Sequence, residues 1–213
     1  RQDYDILKED KSKPMYNRAF QAAYPPGSTF KMAMVIAGTQ AGVINMETSK
    51  GEFLRVKDIE TESMKVCASM SLPLIANMVE IDGQRYLDGG IADSLPIQRS
   101  IDDGNKKSVL VLTQDASYRK KLDKILPLVA IAYRKFPGFV YMIKTRHIRY
   151  NASLDKIAEE EKAGRAFVLR PKKPVKVGRL ELNREKMLEL YREGYEDGIE
   201  AIPSLKKFLE DVC

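Results

Sequence analysis

The clearest alternation of apolar and polar residues along the chain runs over residues 79–87. Asp82-Gly83 interrupts this alternation, and because the pair tolerates the positive φ angles of a tight turn, the pattern predicts a β-hairpin. A loop at residues 88–90 follows the hairpin. The uncharged run 108–113 predicts a buried strand, and residues 166–169 predict a further strand.

Helical patterns occur between and around these strands. They cover residues 60–71, 97–103, 122–150 (interrupted by Pro127 and Pro137) and 154–162, and three further helices are expected to begin at Ser28, Asn183 and Ser204. Ser and Asn side chains accept hydrogen bonds from the first free amides of a helix, which makes them favourable starting residues. The helix from Ser28 is expected to run toward Gly42. The order strand, helix, strand predicts an α/β fold, with helices on the faces of a sheet.

The composition is that of a folded globular protein, since 44% of the 213 residues are hydrophobic and 31% are charged. The net charge of +6 fits contact with an anionic membrane or nucleic acid, or a plain solvated basic surface. No nucleic-acid-binding motif accompanies the charge, so we expect no nucleic-acid partner. The chain begins with Arg1, and residues 1–13 are highly charged, so we expect a fragment of a longer chain without a signal peptide.

Cysteine and histidine are scarce, and this limits the chemistry. Cys67 and Cys213 are too few for a disulfide framework, which favours a reducing compartment. His147 is the single histidine, so the sequence predicts no metal site, no cofactor and no triad that uses an imidazole. We expect His147 to be structural. A serine nucleophile in this chain would need Asp, Glu or Lys as its base.

The apolar run over residues 126–143 invites comparison with a membrane span. Two prolines and the pair Arg134-Lys135 interrupt the run, so we expect no spanning helix. Packing in the core is the favoured interpretation. An interfacial segment that faces lipid is the alternative.

Several blocks in the second part of the chain resemble bacterial patatin-like phospholipases. These blocks are residues 68–73, 81–83, 86–97, 146–151, 166–171 and 189–195. The resemblance implies that residues 56–213 form part of a three-layer, α/β-hydrolase-like patatin sheet, with a C-terminal extension from about residue 145. It also implies a Ser-Asp dyad in which Asp88 is the aspartate and Gly89 and Gly90 form the loop beside it. The implied protein is cytoplasmic and hydrolyses phospholipids or other acyl esters.

The nucleophile elbow that a patatin-like enzyme needs is a Gly-x-Ser-x-Gly turn, and the chain contains none. Residues 38–42 copy its outline with Gln40 in the serine position, and an amide cannot serve as an acyl nucleophile. Ser69 and Ser71 lie near the same loops as Asp88. Asp93 and Ser94 are expected to form a helix cap or turn.

The first part of the chain resembles a different family, the class B penicillin-binding transpeptidases. The matching blocks are residues 15–21, 24–31 and 37–44. The resemblance implies that Ser28 is the acylated nucleophile and Lys31 its base, three residues apart on one helix face. Residues 1–55 would then be an incomplete transpeptidase domain, which implies the cell envelope, with a junction near residues 51–58.

Several functions stay open at this point. The leading hypothesis is a truncated patatin-like serine acyl hydrolase that acts on acyl esters or phospholipids. The alternatives are an inactive chimera, a module that binds lipid surfaces or proteins, and a transpeptidase fragment that uses Ser28 and Lys31. A further alternative makes Ser28 a replacement nucleophile beside Asp88. Because part of the patatin sheet is missing, we also expect exposed apolar strand edges, and with them marginal stability or association.

Overall fold

The structure is a computed structural model that describes residues 40–58, 61–178, 181 and 183–210. Its strands are β1 (Gln40–Asn45), β2 (Gly51–Arg55), β3 (Val79–Ile81), β4 (Gln84–Asp88), β5 (Ser108–Val111) and β6 (Ala166–Leu169). Its helices are α1 (Ser63–Met70), α2 (Ile97–Asp102), α3 (Leu126–Ala132), α4 (Pro137–Lys162) and α5 (Arg184–Glu210). A 3-10 turn covers Gly89–Ile91. The described residues therefore have a mixed α/β fold, as predicted.

The larger of the two sheets is antiparallel, with strand order β2-β1-β4-β3. The predicted hairpin forms its β3–β4 side. Asp82 has a φ of 52° and Gly83 a φ of 74°. These are the left-handed angles that a two-residue turn between twisted strands requires, which explains why Asp-Gly predicts this hairpin.

The second sheet pairs β5 with β6 in parallel, from Ser108 opposite Ala166 to Val111 opposite Leu169. The connection between the two strands contains α3 and α4, because parallel neighbours need a long crossover. Helix α4 packs on β6, and α5 contacts β6 from its far end, where Phe208 lies 5.7 Å from Phe167 between ring centroids. Both strands were predicted from their apolar runs.

The main core lies between the larger sheet and the helices α3 and α4. Its buried residues are Ile44, Met46, Leu87, Ile91, Val129, Tyr133, Phe139 and Ile143. Phe139 is fully buried at the start of α4, and burial of such a side chain stabilises the fold by roughly 1.5–3 kcal/mol. This core fixes α4 against the end of β4, where Asp88 lies.

Three predicted helix boundaries are wrong. Residues 122–150 and 154–162 were expected as separate helices, but α4 runs without a break from Pro137 to Lys162. Pro137 can start this helix because proline is tolerated in the first turn. Asn183 caps α5 as predicted, because its Oδ1 accepts the amide of Glu185 at 2.9 Å. No new helix starts at Ser204, however. Pro203 lies inside α5 in an exposed stretch, where a freed carbonyl can meet water.

The segment at Gly42 is also different from the prediction. A helix was expected to run from Ser28 toward Gly42, but Gln40 already belongs to β1. The outline that resembled a nucleophile elbow is therefore part of a strand where it is described. The earlier residues of the predicted helix, including Ser28 and Lys31, lie outside the described residues.

Candidate functional site

Asp88 is the last residue of β4 and is almost fully buried, with 5% of its surface exposed. Its backbone pairs with Val43 of β1, and its amide donates to the carbonyl of Ser71 at 2.9 Å. Its side chain turns back on the chain, because Oδ1 accepts the amide of Gly90 at 2.8 Å. Asp88 therefore caps the 3-10 turn. Contacts with β1, with the residue after α1 and with the turn itself hold it in one position.

Gly89 is required by a close approach of two backbones. A Cβ atom at this position would lie 2.4 Å from the carbonyl carbon of Gly42 and 2.5 Å from the nitrogen of Val43. Backbone atoms at such distances cannot move aside without opening the sheet. The first glycine of the predicted Gly89-Gly90 loop therefore has a packing role.

Two arginines of α4 hold the carbonyls of this turn, and sequence reasoning did not assign them. Arg146 donates from Nε to the carbonyl of Gly90 at 2.8 Å. Arg149 donates to the carbonyls of Ala92 at 3.1 Å and Ile91 at 2.9 Å. Burial, together with the charge of Arg146, lowers the pKa of Arg149. Each contact joins residues more than fifty positions apart, so no local signal could reveal it.

Asp93 and Ser94 form a turn, in agreement with the prediction. Oδ1 of Asp93 accepts the amide of Leu95 at 3.1 Å, and Ser94 donates its hydroxyl to the carbonyl of Gly90. Burial raises the pKa of Asp93. The space between this turn and the two arginines has a volume of about 10 Å³. It can hold about one water molecule, and it cannot hold an acyl chain.

The serines that lie near Asp88 in sequence are buried, Ser69 to 5% and Ser71 to 6% exposure. The hydroxyl of Ser71 donates to the carbonyl of Cys67 at 2.8 Å, which is a helix-end contact within α1 and the residue after it. Neither serine is exposed enough for a substrate to reach.

His147 follows Arg146 in α4, and its Nδ1 is buried without a hydrogen-bond partner in the part of the chain that the structure describes.

The site residues predicted from the sequence are therefore only partly brought together. Asp88, Gly89 and Gly90 form one turn, in which Asp88 and Gly89 are buried, and α4 supports that turn through its arginines. Ser28 and Lys31 lie outside the described residues, so the structure gives no distance between them and Asp88. The described residues contain neither a cluster of metal-ligating side chains nor a helix with the length and apolar character to cross a membrane.

Comparison with known proteins supports the transpeptidase segment. Residues 1–61 match the penicillin binding protein transpeptidase domain. Similar relatives are the peptidoglycan D,D-transpeptidases MrdA of Acinetobacter baumannii, 40% identical over 47 residues, and of Escherichia coli K12, 43% identical over 47 residues. Peptidoglycan D,D-transpeptidase PbpA of Mycolicibacterium smegmatis is 46% identical over 39 residues.

These similarities cover small parts of each protein. They span 22% of this chain for the two MrdA proteins and 18% for PbpA, and only 7–8% of the relatives themselves. Residues 136–210, which include α4 and α5, match a domain of unknown function, DUF6363. The two family matches do not include a phospholipase, so the patatin resemblance stays a prediction. The comparisons thus show that residues 1–61 are similar to a penicillin-binding transpeptidase domain, in a chain whose described part has a mixed α/β fold.

Proposed function

We propose that this chain carries the acyl-serine segment of a penicillin-binding transpeptidase, with Ser28 as the nucleophile and Lys31 as its base. The observation that carries the proposal is the match of residues 1–61 to that domain, together with relatives that are 40% identical over 47 residues and 46% identical over 39 residues. The relatives are peptidoglycan D,D-transpeptidases by name. The substrate class that follows is a peptide of the cell envelope, or a β-lactam that mimics it.

The chemistry needs only these two side chains to begin. A neutral Lys31 accepts the proton of the Ser28 hydroxyl, and the oxygen attacks the carbonyl of the peptide or β-lactam. The bond between that carbonyl carbon and its nitrogen breaks, the nitrogen takes the proton, and an acyl-Ser28 ester remains. In the helix that the sequence predicts from Ser28, the positive end of the dipole favours the developing alkoxide.

The 213 residues do not contain the family's other two motifs. No Ser-x-Asn sequence is present, and Lys144-Thr145-Arg146 is only a poor substitute for Lys-Thr-Gly. Moreover, Arg146 is already bonded to the carbonyl of Gly90. We therefore propose acylation of Ser28 without efficient turnover, so a stable adduct is the expected product.

Labelling with a fluorescent penicillin tests this proposal on a denaturing gel. The folded chain should take up one covalent label, which Ser28→Ala abolishes and Lys31→Gln slows about 100-fold or more. Ser12→Ala is the matched control, since Ser12 lies in the same segment outside the motif. Absence of label on the folded wild-type chain overturns the proposal, as does a label that survives Ser28→Ala.

A second candidate function rests on the geometry of Asp88. A buried carboxylate that ends a strand, beside a glycine turn held by two arginines, fits the aspartate of a patatin-like acyl hydrolase. In that reading Asp88 would take the proton of a serine hydroxyl, and the substrate would be an acyl ester or phospholipid at an anionic membrane. The resemblance implies a cytoplasmic lineage, and the 213 residues contain no Gly-x-Ser-x-Gly elbow.

A fluorophosphonate probe distinguishes the second candidate from the first. A serine adduct that Asp88→Asn abolishes would support a rebuilt serine–aspartate site. An adduct that depends on Ser28 and Lys31 but not on Asp88 supports the transpeptidase chemistry alone. Binding to anionic vesicles without either adduct, weakened by salt, would instead support the lipid-binding module.

A further inference from the structure

Strand β5 has one free edge in the described part of the chain. Among the described strands, β5 pairs with β6 and with no other. The amides of Ser108 and Leu112 donate toward β6, to the carbonyls of Arg165 and Leu169 at 2.9 and 2.8 Å. Because backbone groups alternate in direction along a strand, the amides and carbonyls of Val109 and Val111 point the other way, toward the free edge.

The side chains at this edge are apolar and exposed. Val109 is 46% exposed and Val111 is 71% exposed. A groove with a volume of about 300 Å³ follows β5 along its length, between the strand and the segment 94–100 that leads into α2. An edge with exposed valines, no proline and backbone groups that no described residue pairs is a template for another strand.

The free edge of β5 can pair with the same edge of a second chain in antiparallel orientation. If Val109 of one chain lies opposite Val111 of another, each such pair exchanges two backbone hydrogen bonds, and the pair occurs twice about a two-fold axis. Antiparallel pairing also places Lys106, two residues before β5, near the segment that leads from the end of β5 to Asp115 of the other chain. Parallel pairing would instead place Lys106 beside its own copy, which is unfavourable.

We propose that two copies of this chain associate through β5, antiparallel and edge to edge, to form a continuous sheet of four strands in the order β6-β5-β5-β6. The pairing satisfies the outward amides and carbonyls of Val109 and Val111 in both copies. It closes the groove beside β5 and shields the valine side chains from water. The occupant of the groove is thus the same strand of a second chain.

Sedimentation velocity over a wide concentration range, on the full chain, is the first test. The wild-type chain should show a monomer–dimer equilibrium. Val111→Pro removes one outward amide per chain without removing a donor to β6, and it should raise the dissociation constant at least about tenfold. Ile75→Lys is the matched surface control, because Ile75 is 83% exposed and lies outside β5 and its groove, and it should leave the constant unchanged.

A charge exchange tests the antiparallel direction and does not depend on proline. Lys106→Glu should weaken the dimer by placing an acidic group beside Asp115 of the other chain. Adding Asp115→Lys should restore at least part of the affinity. Far-ultraviolet circular dichroism of each variant shows that the fold is retained.

Hydrogen exchange distinguishes a second copy from a segment of the same chain. Protection of the amides of Val109 and Val111 should increase with protein concentration. Protection that is equal at all concentrations would show that the chain covers its own edge and would overturn the proposal. A monomer at every concentration, or a dimer whose affinity Val111→Pro leaves unchanged, would also overturn it.

Discussion

Val43 of β1 and Asp88 of β4 lie opposite each other in one antiparallel ladder. Val43 belongs to the segment that matches the transpeptidase domain, and Asp88 lies beyond it. The two parts of the chain therefore share a sheet, and β1 supplies the backbone against which the Asp-Gly-Gly turn is packed. A substitution that disrupts the packing in one part should therefore lower the free energy of unfolding of the shared sheet.

Substitution of Gly89 should show how tightly these parts fit. We expect Gly89→Ala to lower the free energy of unfolding by about 1–3 kcal/mol, because its Cβ would meet the backbone of Gly42 and Val43. Gly198→Ala is the control. Gly198 lies in α5 with open space around it, so alanine there should be neutral or stabilise by about 0.5–1 kcal/mol. Urea denaturation of both variants measures the difference, and equal effects would contradict the close approach.

Arg149 should contribute more to stability than Arg119, an exposed arginine in the irregular segment before α3. Arg149→Ala leaves the carbonyls of Ile91 and Ala92 without this donor, and we expect a loss of about 1–3 kcal/mol. Arg119→Ala removes an exposed pair with Asp155, and we expect about 0–1 kcal/mol. Thermal or urea denaturation of the two variants measures the difference in their free energies of unfolding. Arg149→Ala with a stability equal to that of Arg119→Ala would show that the turn does not depend on this arginine.

Stability should depend on pH through Glu160. Hydrogen bonds from Arg165 and Lys156, at 2.6 and 3.2 Å, lower the pKa of this carboxyl from 4.5 to about 2. Because the folded-state pKa lies below the unfolded one, the stabilisation is present above pH 4.5 and is lost as the pH falls toward 2.

The measurement is the urea midpoint of the wild-type chain and Glu160→Gln from neutral to acidic pH. The wild-type advantage should be constant near neutrality and should shrink through this acidic window. Glu80→Gln, at an exposed position of β3, is the control and should follow the wild type. An advantage of wild type over Glu160→Gln that persists unchanged at pH 2 would contradict the assignment.

The elements that the sequence predicted well are those with local signals. Asp82-Gly83 fixes a turn by its own backbone preference, and Asn183 caps α5 through amides two and three residues away. Strand β1 was missed, because the sequence predicted that a helix would end near Gly42. A short apolar run such as this one fits either a helix or a strand. Its pairing with β2 and β4 decides the outcome, and the β4 contact is remote in sequence.

The candidate site shows the same division. Asp88 and its glycines were found from the residues that surround them, and the structure places them in one turn, in which Asp88 and Gly89 are buried. Arg146 and Arg149 were not assigned to it, since they lie on a helix that reaches the turn only after the chain has folded. Two arginines three positions apart on a helix are common, and only the tertiary contact gives them a role.

The most direct test of the proposed function is mass spectrometry of the chain after reaction with benzylpenicillin. We expect one acyl adduct, located on the tryptic peptide 19–31, which contains Ser28 and ends at Lys31. The adduct should be absent from Ser28→Ala and should form in the Asp88→Asn variant. A folded chain that forms no adduct, or an adduct on any other peptide, would contradict the claim that residues 1–61 retain transpeptidase chemistry.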